Sequence, residues 1–231
     1  WMPISPSELW DATTVEEVLA EADGAWKPGA VLLQTSTVGV EGADRLAEVA
    51  SELGLRYVDA PVQGTRQPAE QGTLVVLASG PEDTRDLLAP VLDAIGSRTI
   101  WLGGAGAGSR LKLATNTFFL TLTAALAESM AVAVALGASP AAFRDAIAGG
   151  PLESPFVAKK GAAMVAGDFS PAFAVEGGLK DTGLIAAAAG SAGLDVPLTE
   201  ATAALLAGLE ADGHGGDDIA ALGRGLTQDV Q

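Results

Sequence analysis

The sequence predicts an α/β protein in which a mainly parallel sheet domain, residues 1–108, is followed by an all-α domain, residues 109–231, the two joined by one long helix. Three observations predict this. Up to Trp101, short β-rich runs alternate with helical patterns of about ten residues, the pattern of a parallel sheet with helices on its faces. After Gly108 the strand signals stop. From Leu111 to Leu136 the chain reads as one long apolar helix.

Each element has its own signal. Thr13-Thr14-Val15-Glu16 reads as a capping box opening a helix to about Ala22, and "AVLLQTS" from Ala30 as a short strand. A helix pattern runs from about Glu41 to Leu53, "RYVDAP" is a strand ending at Pro61, and "TLVVLAS" from Thr73 is a third strand. Pro81 opens a helix at its first turn that ends near Gly96, and "RTIWLG" is the last strand. The long helix covers about Ser109 to Gly137. Ser139-Pro140 starts another to about Ile147, and a Pro/Ser loop fills Pro151 to Pro155. Three or four helical segments follow from Val157 to Leu226.

Composition narrows the function classes. A chain of 231 residues with 48% hydrophobic content is large and apolar enough for a buried core. Thirteen basic against 29 acidic residues give a formal charge of -16, which repels phosphate backbones and anionic lipid, so neither nucleic acid nor membrane is an expected partner. There is no cysteine and one histidine, His214, so thiolate and histidine metal sites are excluded and no metal is expected. The N-terminus lacks a signal-peptide series, which makes the cytoplasm the expected location. Lys112, Asn116 and Glu128 interrupt the long helix, which reads as a core helix rather than a membrane span.

The stretch "TIWLGGAGAGSRLKLATN" offers glycines between a strand and a helix, as a phosphate loop does. A dinucleotide fingerprint needs G-x-G-x-x-G and a second strand behind its helix. Here Ser109 stands at the third glycine's place after Gly104 and Gly106, and a long helix follows with no second strand. The phosphate-loop reading is therefore rejected. The helix itself carries Lys112 and Asn116, four residues apart and on one face. A lysine beside apolar walls has its charged form disfavoured and can move a proton near neutral pH, although a snorkelling lysine beside a backbone-satisfied asparagine has the same spacing.

Other polar stretches sit at element ends. "TSTVG", Thr35 to Gly39, closes a strand with three hydroxyls that either face a ligand or cap the next helix. "DAPVQGT", Asp59 to Thr65, ends a strand in a glycine-containing loop. Lys180-Asp181 is either a solvated pair or a charged finger. His214, in "GHGGDD", reads as a loop residue rather than a catalytic base.

In this order and spacing the stretches resemble the β-hydroxyacid dehydrogenase family, the group of 3-hydroxyisobutyrate dehydrogenase, tartronate semialdehyde reductase and glyoxylate/succinic semialdehyde reductase. The likeness spans nearly the whole chain, and the helical half is similar to the C-terminal domain of 6-phosphogluconate dehydrogenase. It implies a partial Rossmann-like domain and hydride transfer between NAD or NADP and a small β-hydroxyacid or semialdehyde. By resemblance, Lys112 is the catalytic proton donor and acceptor and Asn116 contacts substrate. Gln63, Gly64 and Thr65 bind the substrate carboxylate, and Ser36, Thr37 and Lys180 reach the cofactor.

Two departures accompany the resemblance. Where the family has serine and two glycines, this chain has Gln63, Gly64 and Thr65, which leaves imine reduction on the same scaffold open. Family members also open with a strand, a G-x-G-x-x-G loop and a further βα unit, together roughly 60 residues at about 30 per βαβ. This sequence, beginning at Trp1 with Met2 behind it, lacks those features, so a truncated chain with weak cofactor binding is expected, or a non-catalytic relative serving as an oligomerisation or binding module. The apolar helical half predicts a homodimer or homotetramer.

Overall fold

The computed structural model describes residues 10–226 apart from 23 and 28. The chain forms two compact units, Trp1–Thr115 and Asn116–Gln231.

In the first unit, α1 (Ala12–Glu21) packs Val15 and Leu19 against Leu46 and Ala50 of α2 (Gly39–Glu52) and Tyr57 of β2 (Arg56–Asp59). Leu46 is fully enclosed, and burying a side chain of that size contributes about 1.5–3 kcal/mol. The residue that opens α1 is Asp11, whose carboxylate accepts from the Thr14 N–H at 2.8 Å. Thr13, expected as the cap, lies inside the first turn. The carboxylate one turn back outcompetes its hydroxyl as acceptor because it is charged and faces the positive end of the helix dipole.

Strand β1 (Val31–Gln34) pairs in parallel with β2, Gln34 opposite Asp59. Beyond Pro61 the chain continues as β3 (Val62–Gln63), turns through α3 (Arg66–Glu70), and returns as β4 (Leu74–Ala78). β3 and β4 are antiparallel, and Asp59 and Ser79 form a further antiparallel bridge. β3 is a strand the sequence reading does not name, and its hairpin is the antiparallel part of a sheet expected to be mainly parallel. The stretch from Gln63 to Leu74 is shorter than the dozen or more residues a parallel crossover needs, so the strand has to double back. A 3₁₀ turn (Glu82–Thr84) behind Pro81 precedes α4 (Arg85–Ile95), and β5 (Gly96–Trp101) restores parallel pairing with β4.

Helix α5 (Ala107–Ala135) starts in the first unit and runs through the second. By length and composition it is apolar enough to cross a membrane. Its Leu126, Ala127 and Met130 are buried against Val157, Met164 and Ala220. Around them stand α6 (Pro140–Ile147), α7 (Pro155–Ala166), α8 (Val175–Ser191) and α9 (Pro197–Leu209). α6 and α7 each begin with a serine cap and a proline, Ser139 accepting from Ala142 N–H and Ser154 from Val157 N–H. No strand is found in this unit among the described residues.

Candidate active site

The glycines after β5 turn the chain into α5. Gly103 and Gly106 have φ of +87° and +86°, backbone that a side chain would strain. Gly108 is required for closeness instead, since a Cβ there would run into the Leu77 carbonyl oxygen and stand 3.0 Å from that of Asp59.

That close approach brings the first turn of α5 onto the end of β2. Asp59 is fully buried, and its carboxylate accepts from the Ser109 N–H at 2.8 Å and the Ser109 hydroxyl at 2.7 Å. The Ser79 hydroxyl donates to the same carboxylate at 3.3 Å, and its oxygen accepts from the Gly108 N–H at 2.9 Å. Burial pushes the Asp59 carboxyl up from its ordinary value, and the hydrogen bonds from Ser109 and Ser79 pull against that rise.

One turn further, the Lys112 side chain, 8% exposed, donates from Nζ to the Val62 carbonyl at 2.8 Å. The adjoining Gln63 donates its amide to the Thr115 hydroxyl, which itself donates to the Lys112 carbonyl at 2.9 Å. Lys112 and Gln63 are therefore brought together along the seam of β3 and α5. Gly64 and Thr65 form the turn after Gln63. Gly64 has φ +129° and its missing side chain makes room for Leu74, while Thr65 occupies the N-cap position of α3.

Ser36 and Thr37 leave β1 at the end where Gln34 pairs with Asp59, the same end at which β2 turns into Ala60 and Pro61. The Gln34 side chain grips the Ser36 backbone at both its N–H and its carbonyl. The N-cap position of α2 is Val38, whose side chain has no oxygen to offer.

In the second unit, Asn116 is 3% exposed and donates from Nδ2 to Asp181 Oδ2 at 2.7 Å. Lys180 Nζ stands 3.3 Å from the other oxygen of the same carboxylate. Asp181 is 2% exposed, so Lys180-Asp181 is not a solvated pair, and Asp181 links Asn116 to Lys180. Sequence reasoning gave Asp181 no role of its own. Its signal was an acid inside the apolar pattern of α8. His214 lies in a single π-helical turn, its Nδ1 3.1 Å from Asp217 Oδ2. A separate buried pair, Lys160 with Asp218, ties α7 to the start of the 3₁₀ turn Ile219–Gly223, and Asp218 also accepts from the N–H groups of Ala172, Phe173 and Ala220. Among the described residues no cluster suits a metal ion.

Comparison with known proteins matches residues 106–226 to the family described as NAD-binding of NADP-dependent 3-hydroxyisobutyrate dehydrogenase. Residues 8–103 match the NAD binding domain of 6-phosphogluconate dehydrogenase. A 2-(hydroxymethyl)glutarate dehydrogenase of Eubacterium barkeri is 32% identical over 94% of this chain and 73% of its own. The crystal structure of a 3-hydroxyisobutyrate dehydrogenase from Salmonella typhimurium has a TM-score of 0.85 at 30% identity, covering 93% of this chain and 76% of that one. That of a Mycobacterium tuberculosis 3-hydroxyisobutyrate dehydrogenase with L-serine has a TM-score of 0.83 at 28% identity, covering 94% and 76%.

The matched families bind a nicotinamide dinucleotide, NAD or NADP, and one strand end of the first unit suits a nucleotide. Ser36 and Thr37 follow the carboxyl end of a parallel strand pair, where α/β sheets take nucleotides, and the Gln34 clamp fixes the Ser36 backbone. The sequence contains no G-x-G-x-x-G, so the fit extends to that end alone.

Proposed function

Because the chain belongs to the β-hydroxyacid dehydrogenase family of NAD(P)-dependent oxidoreductases, we propose that it transfers a hydride between the nicotinamide and a small β-hydroxyacid or semialdehyde, with Lys112 moving the proton. The observation that carries this reading is the Lys112 side chain, buried and donating from Nζ to the Val62 carbonyl beside the Gln63 turn. The hydrogen bond to a backbone carbonyl orients the amine, and burial beside apolar walls suits it to exchange a proton with a substrate oxygen.

When bound, the cofactor supplies or accepts the hydride. In oxidation the neutral amine of Lys112 would take the substrate hydroxyl's proton while the carbinol hydrogen leaves as hydride, and in reduction the protonated Lys112 would return that proton to the nascent alkoxide. Asn116, four residues on along α5 and fixed by Asp181, holds the reacting oxygen. Gln63, Gly64 and Thr65 receive the carboxylate. Ser36, Thr37 and Lys180 hold the cofactor. Residues 1–108 serve mainly the cofactor and 109–231 mainly substrate binding and assembly. Exposed Phe118 and Val132 on α5 and Leu136 just past its end, with Leu198 and Leu205 on α9, support a homodimer or homotetramer.

The test is turnover of 3-hydroxyisobutyrate, 2-(hydroxymethyl)glutarate and L-serine with NAD or NADP, followed by absorbance of the reduced nicotinamide. At least one acid is expected to react, and Lys112→Ala to lower kcat by about 10²–10⁴-fold, the range for a positioned general acid-base. No turnover of any of the three, or turnover indifferent to Lys112→Ala, contradicts the proposal.

A further inference from the structure

We propose that Asp59 is a positioning residue for Lys112: its buried carboxylate is the joint that sets the first turn of α5 against the strand whose carbonyl holds the lysine amine. Lys112 reaches Val62 O only if two segments keep their separation, the start of α5 and the chain just past β2. Asp59 belongs to the second, three residues before Val62, and binds the first through the N–H and the hydroxyl of Ser109, three residues before Lys112. One carboxylate thus stands at equal sequence distance from both ends of the Lys112–Val62 contact.

The joint is rigid for three reasons. Both carboxylate oxygens are engaged, Oδ1 by the Ser109 hydroxyl and Oδ2 by the Ser109 N–H and the Ser79 hydroxyl, so the side chain cannot rotate without losing several charge-assisted bonds at once. Ser79 adds a second route, because its hydroxyl oxygen accepts from the Gly108 N–H while its backbone bridges Asp59. Gly108 lets the backbones close to contact, so there is no slack to absorb a change. A negative charge at the first turn also opposes the helix dipole, which stabilises this start of α5 over a neighbouring one.

The role rests on the assignment of Lys112 as the proton carrier, and its test has a readout that does not. Lysines are labelled with acetic anhydride in the folded chain, and rates are mapped by peptide mass for Lys112, for the buried Lys160 of the other unit and for the exposed Lys27. In Asp59→Asn, the Lys112 rate is expected to rise roughly tenfold or more toward that of Lys27, as loss of a charge-assisted network predicts, with Lys160 unchanged. Ser109→Ala, a milder change that removes one donor, gives a smaller rise in the same direction, and Ser109→Thr, which keeps the hydroxyl, restores the slow rate. On 3-hydroxyisobutyrate Asp59→Asn and Ser109→Ala lower kcat while the dissociation constant of the cofactor holds, and Ser109→Thr restores kcat. An unchanged Lys112 rate in Asp59→Asn, or an equal rise at Lys112 and Lys160, overturns the proposal. Slow labelling of Lys112 that tracks Asp59 in a chain without turnover would sustain the positioning role while removing the proposed reaction.

Discussion

Two buried aspartates in this chain answer their burial in opposite ways. Burial presses the Asp218 carboxyl upward, but Lys160 and the N–H groups of Ala220 and Ala172 outweigh it, and the group sits below its ordinary value of 3.8. A carboxyl depressed in the folded state contributes stability that is present above its unfolded value and is lost as pH falls through the folded one. Asp218→Asn is accordingly expected to cost about 3–5 kcal/mol at pH 7, since it strands Lys160 in the interior, and the gap from the unaltered chain is expected to shrink below pH 3.8. Denaturant melts across that range measure it, and a gap that stays constant in acid contradicts the pairing. At Asp59 burial outweighs the hydrogen bonds from Ser109 and Ser79 and the charge of Arg110, and the group sits above its ordinary value. A raised carboxyl contributes stability below the unfolded value that is lost as pH rises through the folded one, so Asp59 tilts the profile the other way.

At the scale of elements, the start of α5 decides where Lys112 stands, and Gly108 decides how closely α5 approaches the strands. Gly108→Ala is expected to lower stability by about 1–3 kcal/mol, the cost of overpacking a filled site, and to reduce turnover more than the same change at exposed Gly104. Thermal melts with initial rates check this, and equal effects at the two positions contradict it. Most elements announced themselves locally: Ser139-Pro140 and the long apolar run each carry their signal within a few residues. The hairpin of β3 and β4 did not, because two residues of strand leave no periodicity, nor did Asp11, because Thr13 offered a competing cap pattern. In the candidate site, Lys112, Gln63 and Asn116 stood out as polar residues in apolar or glycine-rich stretches. The bonds of Asp59 to Ser109 and of Asn116 to Asp181 span 50 and 65 positions and leave no local mark.

Over the whole molecule, a mixed α/β unit that offers hydroxyls at a strand end and an all-α unit rich in exposed leucine share a single helix, and α5 carries Lys112 in one and Asn116 in the other. The -16 charge sets the background against which Lys112 is a scarce buried cation, and it is the residue on which the account turns. Its role as proton carrier is tested most directly by chemical rescue, in which the turnover of Lys112→Ala is followed as primary amines of differing pKa are added, with reduced-nicotinamide fluorescence recording cofactor binding in parallel. The account predicts unchanged cofactor binding, a deep loss of turnover, and recovery that grows with amine concentration and basicity. A variant that turns over normally without amine would contradict it.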